Sequence, residues 1–405
     1  MSRRSARPRL IVAAVAATFA ALSACSVNNG ATTGSGNGSN ADGGSSQAVA
    51  RSVARVHGSI PSGAHDVDLS KPVTLRVRSG TFRSVEVTGP QGAHVRGRLS
   101  AGKTRWVSTT PLQASSRYLV VSTAVDAQGR TKSYRSSFRT RALSLDEQTY
   151  PSFVPVENQT VGVGMPVIIR FDVPVTDRAS IQRHLQVISR PAQVGAFHWV
   201  SSQEVHWRPR SFWRPGTDVT VKAAIAGVPA GNGIYGQKDR ELHFTVGRSM
   251  ISKVDMNTDQ MRVFENGKLL RTIPITTGRQ PDFTTRSGIK VIVEKFRHKR
   301  MNSETIGIDP NSADGYNLDD VEYAMRVTYS GEFVHAAPWS VADQGHRNVS
   351  HGCTGMSPEN AAWLYDRSLV GDVVEYTGTS RQMTLTNGFG DWNASFADYR
   401  SGAAS

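Results

Sequence analysis

The sequence predicts a mainly β protein in which two tandem β-sandwiches precede a third, β-rich domain. Three observations indicate this fold class. Short segments alternate apolar and polar residues between Gly, Pro and Ser, the pattern recurs at an offset of about 100 residues, and Asn266-Gly267 separates two further alternating segments. Alternation is typical of half-buried strands, and Asn-Gly is typical of a tight hairpin. A length of 405 residues also favours more than one domain.

Residues 1–25 have the form of a signal peptide. The basic segment MSRRSARPR precedes the apolar run LIVAAVAATFAAL, which is too short and Ala-rich to indicate a membrane-spanning helix. The segment ends in Leu22-Ser23-Ala24-Cys25, which resembles a bacterial lipobox. We therefore expect lipid on Cys25, attachment to the membrane through that lipid, and a location on the outer face of the cytoplasmic membrane, reaching into the cell wall. Simple secretory cleavage is the alternative.

Residues 26–54 are expected to form a tether. They are rich in Gly, Ser, Asn and Thr and contain too few apolar residues to form a core. With Cys25 lipidated, Cys353 has no intramolecular partner, because the chain contains two cysteines. An unpaired thiol in an oxidising compartment is either reactive or buried and inert.

The net charge of +14 indicates an anionic setting. Nucleic acid, phospholipid and acidic wall polymers would all fit this charge. Lys and Arg are spread along the chain without one dense run, which argues against nucleic acid as a partner.

Two immunoglobulin-like domains are predicted, over residues 55–148 and 149–248. Regularly spaced short strands are typical of such sandwiches. Neither segment contains cysteine, so an antibody-type disulfide is excluded. The repeat depends on three pairs of segments: Lys71–Arg76 with Met165–Arg170, Trp106 with Trp207, and Phe138 with Phe244.

An aromatic group in the second domain has two interpretations. We expect these side chains to form sandwich core and interdomain packing, and sugar binding is the alternative. The group contains Phe197, Trp199, Trp207, Phe212 and Trp213.

A third domain is predicted over residues 249–378, followed by an extension over 379–405. It contains the Asn266-Gly267 hairpin and a helix with Ser357 at the N-cap and Pro358 in the first turn. In the extension, Trp392, Phe396 and Tyr399 have helical spacing, which predicts one short docked helix.

The stretch SHGCTG, residues 350–355, is the strongest indication of chemistry. A catalytic thiol needs a base and a stabilised thiolate, and His335, His346 and His351 all precede Cys353. A Gly-rich turn also allows main-chain N–H groups to form an oxyanion hole. Zinc binding is chemically possible, but the spacing fits no common structural site. A papain-type enzyme is excluded, because in those enzymes the catalytic cysteine precedes the histidine in the chain, whereas here the histidines precede Cys353.

The segment from His335 to Ser350-His351-Gly352-Cys353 resembles the signature of L,D-transpeptidases with the YkuD fold. The lipobox, the tether, the two immunoglobulin-like domains and the Trp-bearing extension are also similar to this family. The resemblance implies a peptidoglycan enzyme without metal or cofactor. Its nucleophile would attack the carbonyl between meso-diaminopimelate and D-Ala in a tetrapeptide stem and form a thioester. The acyl group would then pass to a second stem, which forms a 3→3 cross-link. Carbapenems would acylate the same thiol.

The resemblance also implies roles for individual residues. Cys353 would be the nucleophile, His335 the general base and acid, His351 a structural partner, and Gly352 a backbone donor of the oxyanion hole together with the N–H of Cys353. The implied substrate-binding residues are Met301, Tyr316, Trp339, Ser350 and Thr354.

A solvent-excluding lid is expected between strands over residues 297–320, where the segment is long and polar. Three positions depart from the family pattern. Gly355 replaces a common Asn, Ala336 replaces a common Ser, and Ile306 replaces a common Tyr. Two alternatives therefore stay open: a carboxypeptidase that uses water as acceptor, and a wall-bound scaffold with impaired catalysis. We expect a monomer.

Overall fold

The computed structural model describes residues 50–404. The predicted signal peptide, the lipidation at Cys25 and most of the predicted tether lie outside the described residues. From Arg51 onward the described chain forms one compact unit. Within that part of the chain, the helices are too short or too polar to span a membrane.

The first sandwich is built from two sheets. One sheet has the order β1-β2-β5-β4 and the other β3-β6-β7. Alternation places Leu75 and Val77 in the core and Arg76 and Arg78 in solvent. The strands are β1 (Arg55–Gly58), β2 (Thr74–Arg78), β3 (Thr81–Thr88), β4 (Gly97–Leu99), β5 (Arg105–Ser108), β6 (Arg117–Val125) and β7 (Thr131–Arg139).

The second sandwich has the sheets β9-β11-β14-β13 and β12-β15-β18-β10, with a small third sheet of β8, β17 and β16. Its elements are β8 (Gln148–Thr149), β9 (Pro151–Val154), β10 (Thr160–Val161), β11 (Val167–Phe171), α1 (Arg178–Gln182), β12 (Leu185–Arg190), β13 (Gly195–Trp199), β14 (Glu204–Pro209), β15 (Asp218–Ala223), β16 (Pro229–Gly231), β17 (Ile234–Gly236) and β18 (Arg240–Val246).

The two sandwiches follow the same plan, as the internal repeat predicts. In the first sandwich, β5 contains Trp106 and pairs with β2 on one side and with the short strand β4 on the other. In the second, β14 contains Trp207 and pairs in the same way with β11 and β13. An added Cβ at Gly97 would lie 2.2 Å from the Trp106 ring, and one at Gly195 would lie 2.2 Å from the Trp207 ring. Both glycines therefore let a neighbouring strand lie directly over the indole.

The aromatic group of the second sandwich packs inside the protein, as we expected. Trp213 is buried, stacks on Trp207 with centroids 5.3 Å apart and donates from Nε1 to the carbonyl of Met165 at 2.7 Å. Phe212 meets Trp392 of the C-terminal extension edge to face, at 4.6 Å between centroids. This burial removes the basis for the sugar-binding alternative.

The third domain contains a five-stranded sheet, β21-β20-β19-β27-β22, and a four-stranded sheet, β23-β24-β25-β26. Asn266 and Gly267 both have positive φ, 49° and 82°, as a type I′ hairpin turn requires. The elements are β19 (Met250–Asp255), β20 (Gln260–Glu265), β21 (Lys268–Pro274), β22 (Gly288–Val291), β23 (Glu294–Asn302), β24 (Asn317–Arg326), β25 (Phe333–Ala336), β26 (Thr354–Met356), α2 (Pro358–Arg367) and β27 (Val373–Thr377).

Helix α2 begins as predicted, because the Ser357 hydroxyl accepts a hydrogen bond from the N–H of Asn360 at 3.3 Å. The extension differs from the single predicted helix. Trp392 lies in a 3-10 turn, Asp391–Asn393, and a separate helix α3 covers Phe396–Ser401. The reason is Ser395, whose side chain caps α3 and is itself extended, so it separates the two elements.

Candidate active site

A cavity of about 300 Å³ opens over the predicted nucleophile. It contains Cys353 together with His335, and an apolar wall faces them. The lining residues are Thr276, Met301, Tyr316, Leu318, His335, Ala337, Trp339, Ser340, Val349, Ser350, His351, Cys353 and Gly355.

Parallel pairing of β25 with β26 brings the predicted base and the predicted nucleophile to one cavity. His335 lies on β25 opposite Gly355 of β26, and Cys353 immediately precedes β26. Residues 18 apart in sequence therefore face one cavity, since neighbouring strands lie about 4.8 Å apart.

The orientation of His335 follows from its main-chain contact. Its Nδ1 lies 2.7 Å from the carbonyl oxygen of Ala336, which can only accept a hydrogen bond. Nδ1 therefore holds the proton, and Nε2 is left as the acceptor. Burial lowers the pKa of His335, so the imidazole is neutral at pH 7.

The thiol is also neutral at rest. Burial raises the pKa of Cys353 to about 11. Its Sγ lies 3.6 Å from the carbonyl oxygen of Gly331, to which the thiol donates. The thiol and the imidazole that line this cavity are therefore both uncharged, so proton transfer must accompany attack by the sulfur.

The turn before Cys353 is fixed by hydroxyl groups. The Ser350 hydroxyl donates to the carbonyl of Cys353 at 2.6 Å and accepts from the N–H of Gly352 at 3.1 Å. Gly352 has φ of 125°, and its carbonyl accepts from the Thr285 hydroxyl at 2.9 Å. The N–H of Gly352 is thus occupied, whereas the N–H of Cys353 has no acceptor among residues 50–404.

The remaining predicted residues divide into two groups. Met301, Tyr316, Trp339 and Ser350 all line the cavity with Cys353. Thr354 does not: it is buried, and its hydroxyl lies 2.8 Å from the hydroxyl of Tyr376. The prediction that Thr354 contacts substrate is therefore wrong. The side chain at the first position of β26 points into the domain, opposite to that of its neighbour.

His351 packs between two aromatic side chains. Its ring lies 4.5 Å from that of Phe283 and 5.0 Å from that of Tyr316, between centroids. Its Nε2 is buried without a partner among the described residues, and burial lowers the pKa of His351. The side chain therefore packs the turn against the loop that contains Tyr316.

A second cavity, of about 350 Å³, reaches the same thiol. Cys353, His351 and Tyr316 belong to both cavities. The second cavity is more polar. Its other lining residues are Asp282, Phe283, Arg286, Ile306, Ile308, Ser330, Gly331, Glu332, Gly352 and Arg381.

At Gly355, where the family commonly has Asn, other side chains supply hydrogen bonds near the turn. An added Cβ at Gly355 would lie 2.8 Å from the Cβ of Ala337, so this backbone has no room for a larger residue. Threonine supplies the bonds instead: the Thr276 hydroxyl accepts from the N–H of Val349 at 3.0 Å. The carboxamide of Asn348 accepts from the N–H of Thr277 at 2.6 Å.

Ala336 contributes its carbonyl to His335, so the imidazole is oriented without a neighbouring hydroxyl. Ile306 lines the second cavity, and its side chain would lie 2.8 Å from a Cβ added at Gly331. These contacts show what each unusual residue does in this chain.

The predicted lid is more regular than expected. Residues 294–302 and 317–326 form strands β23 and β24 of one antiparallel hairpin, and the non-strand portion is confined to residues 303–316. Strand pairing along most of the segment explains the difference. Met301 and Tyr316 lie at the two ends of that loop and both line the first cavity.

Sequence reasoning missed a buried ion pair behind the site. Lys290 is fully buried, its Nζ lies 2.6 Å from Glu332 Oε2 and 3.7 Å from the centroid of the Tyr376 ring. Burial lowers the pKa of Lys290 to about 8. Lys290 interrupts the otherwise apolar segment GIKVIV, which was the available signal.

The candidate zinc ligands do not form a metal site. Among the described residues, no group of three or more His, Cys, Asp or Glu side chains is placed to hold a metal ion.

A half-buried cysteine and a buried histidine line one cavity of a mixed β domain, and these are the groups that a cysteine-dependent acyl-transfer enzyme needs. Comparisons with known proteins agree. The L,D-transpeptidase catalytic domain family, YkuD, matches residues 249–375, and the bacterial Ig domain family, Big_10, matches residues 64–229.

Full-length relatives make the assignment specific. The chain is 37% identical to L,D-transpeptidase 2 of Mycobacterium tuberculosis over 353 residues, which covers 87% of this chain and 85% of the relative. It is 34% identical to L,D-transpeptidase 5 of the same species, covering 81% and 72%. A solved structure of the LD transpeptidase LdtMt1 in complex with imipenem is 40% identical, with a TM-score of 0.50, and covers 56% of this chain and 97% of that one. The chain belongs to the L,D-transpeptidase family.

Proposed function

We propose that this enzyme forms 3→3 cross-links in peptidoglycan. Cys353 attacks the carbonyl between meso-diaminopimelate and the terminal D-Ala of a tetrapeptide stem. The observation that supports this role is the contact between His335 Nδ1 and the Ala336 carbonyl at 2.7 Å, because it leaves Nε2 free as the base.

In the first half-reaction the thiol proton passes to His335 Nε2 as the C–S bond forms. The C–N bond to D-Ala then breaks, and the departing amine takes that proton. The thioester on Cys353 is the product. The N–H of Cys353, free among the described residues, is the main-chain donor available to the oxyanion.

In the second half-reaction the side-chain amine of a second stem attacks the thioester. His335 accepts a proton from that amine and returns it to the sulfur as the C–S bond breaks. Two substrates must reach one sulfur, and two cavities that share Cys353 fit this requirement.

The neutral resting pair predicts the pH dependence. Protonation of His335 removes the base, so turnover falls as the pH drops below the pKa of His335, which burial lowers from 6.5. The neutral thiol also predicts slow alkylation at neutral pH, which accelerates as the pH approaches the Cys353 pKa of about 11.

We further propose that carbapenems acylate Cys353. The imipenem complex of the related enzyme supports this, together with the apolar wall of the first cavity. Mass spectrometry of the protein after incubation with imipenem should show one covalent adduct, absent in Cys353→Ala.

We also propose a lipid on Cys25, which would retain the enzyme at the outer face of the cytoplasmic membrane. The sequence Leu22-Ser23-Ala24-Cys25 supports this. Mass spectrometry of the protein from membranes should show a lipidated N-terminal cysteine. A mature protein that begins elsewhere, without lipid, would contradict the proposal.

The decisive test of function mixes the enzyme with tetrapeptide muropeptides and follows products by mass spectrometry, with Cys353→Ala in parallel. We expect release of D-Ala and cross-linked dimers from the wild type alone. Release of D-Ala without dimers would indicate a carboxypeptidase that transfers to water. Equal behaviour of both proteins would indicate a catalytically inactive scaffold.

A further inference from the structure

The first sandwich has an unusual charge compared with the catalytic domain. Residues 55–148 contain 15 Lys or Arg and 6 Asp or Glu, a net charge of +9. Residues 249–378 contain 14 Lys or Arg and 17 Asp or Glu, a net charge of −3. Most of the protein's net positive charge, +9 of +14, therefore lies on a domain that is separate from the catalytic site.

Five of these 15 basic residues lie on the outer face of the sheet β1-β2-β5-β4, which we call the Arg face. Strand register places its members directly opposite one another: Arg55 faces Arg78, and Arg76 lies between His57 and Arg105. Each of these side chains is exposed. The Arg face consists of Arg55, His57, Arg76, Arg78, Arg98 and Arg105.

The Arg face has no internal neutralisation. The four strands contain no Asp or Glu, and no ion pair within the described residues includes any of its six members. Like charges directly opposite in a sheet are destabilising. Five arginines on one sheet face without a carboxylate partner therefore indicate an external anionic partner.

On the equivalent face of the second sandwich, the basic side chains are paired with carboxylates. There Arg170 pairs with Glu204 at 2.5 Å, and His206 lies 2.8 Å from both Glu204 and Asp391. Asp391 belongs to the C-terminal extension, which covers that face. The first sandwich lacks such a cover in the described chain.

We propose that the Arg face binds the anionic phospholipid surface of the membrane. The face presents five exposed arginines on one four-stranded sheet, and guanidinium groups bind phosphate well. Strand β1 is the first element of the described unit, so the chain leads from this sheet back towards Cys25, 30 residues before Arg55. This second argument rests on the proposed lipid anchor.

A basic surface is a common second membrane signal beside a lipid. Contact through the Arg face would hold the first sandwich at the membrane and set the direction in which the rest of the chain extends. The binding is electrostatic, because the outward positions of these strands lack large apolar side chains for insertion, and it should weaken as salt rises.

The test uses residues 51–405, the compact unit without its lipid, sedimented with vesicles of equal parts phosphatidylglycerol and phosphatidylcholine. The variant Arg76→Gln/Arg78→Gln/Arg105→Gln removes three charges from the Arg face. The matched control Arg117→Gln/Arg135→Gln/Arg139→Gln removes three exposed charges from the opposite sheet, β3-β6-β7.

We expect the Arg-face variant to bind the vesicles about a hundredfold more weakly, and the control variant to lose no more than about fivefold. Binding of the wild type should disappear with phosphatidylcholine alone and when salt is raised from about 0.05 M to about 0.5 M. Circular dichroism and D-Ala release from muropeptides are recorded for each preparation, so folding and activity are judged separately.

Equal losses in both variants would overturn the proposal, because binding would then depend on net charge alone. Absence of wild-type binding would overturn it as well. Binding to purified anionic wall polymer but not to vesicles would replace the membrane with the wall as the partner. None of these outcomes depends on transpeptidase activity, so the proposed function stands or falls independently.

Discussion

The two sandwiches share strand order and core design but differ in what covers one equivalent sheet face. In the second sandwich, the C-terminal extension covers the face of β9-β11-β14-β13 and neutralises it. In the first, the corresponding face of β1-β2-β5-β4 is basic and exposed. The comparison teaches that the repeat preserves the interior positions, whereas the outer face is free to acquire a different partner in each copy.

The covered face depends on a buried charge network. Both ring nitrogens of His206 contact carboxylates, which accept hydrogen bonds, so the imidazole is charged. The hydroxyl of Tyr399 donates to Asp391 at 2.9 Å, and the Arg208 guanidinium lies 4.5 Å from the Tyr399 ring. Trp392 adds a hydrogen bond to the carbonyl of Gly164 at 2.7 Å.

The largest effect is expected from Asp391→Ala. It removes a fully buried carboxylate and leaves His206 with one partner, which should lower the free energy of unfolding by roughly 3 to 5 kcal/mol. Urea denaturation at pH 7 measures the change. Asp398→Asn, on the exposed side of the same extension, is the control and should change stability much less. Similar losses of stability in both variants would show that the buried charge network does not account for the stability of the covered face.

The second effect is the part of the pH dependence of stability that arises from His206 on the covered face. The pKa of His206 is raised from 6.5 to about 9: burial opposes its charge, but Asp391 and Glu204 outweigh burial. Its contribution is therefore fully present below pH 6.5 and is lost as the pH rises through about 9, a change on the order of 3 kcal/mol.

Urea denaturation at pH 6 and pH 10 tests this for the wild type and His206→Gln, in which that part of the slope should vanish. His57→Gln on the Arg face is the matched variant and should keep the wild-type slope, because it leaves the contacts of His206 with Glu204 and Asp391 intact. An unchanged slope in His206→Gln would show that another group titrates.

The third prediction concerns what the sandwiches share. Gly97→Ala and Gly195→Ala should each destabilise by about 1 to 3 kcal/mol, because the new methyl group would lie 2.2 Å from an indole atom in both. Thermal unfolding of the two variants measures this. Gly102→Ala, at a position with open space, is the control. A loss of stability in only one of the two variants would show that the two glycines do not have the same structural role.

The smallest effect is expected at the uncovered face. Arg76→Gln should change stability by less than about 0.5 kcal/mol and should raise it slightly at low salt, because Arg76 faces Arg105 without a counter-ion. Denaturation at low and high salt measures it. A clear loss of stability would show that Arg76 has a partner within the protein and would weaken the proposed membrane contact.

Much of the site was predictable because its residues are close in sequence. His335, Ser350 and Cys353 lie within 19 residues and belong to one short motif, whereas the pairing of β25 with β26 that brings them together was not predicted. Thr354 was misplaced because side-chain direction depends on where β26 begins. Lys290 and Glu332 were missed because their pairing joins segments 42 positions apart.

The sequence by itself determined the β class, the repeat, the Asn266-Gly267 hairpin, the cap of α2 and the motif that contains His335 and Cys353. Each of these depends on alternation, turn chemistry or a short motif, which are local properties of the chain. Only the tertiary structure decided that the Ala336 carbonyl orients His335, that threonines hold the nucleophile turn, and that the extension covers one sandwich face but not the other. Those outcomes require segments distant in sequence to meet, and pairing between distant segments is set by the packing of the whole fold.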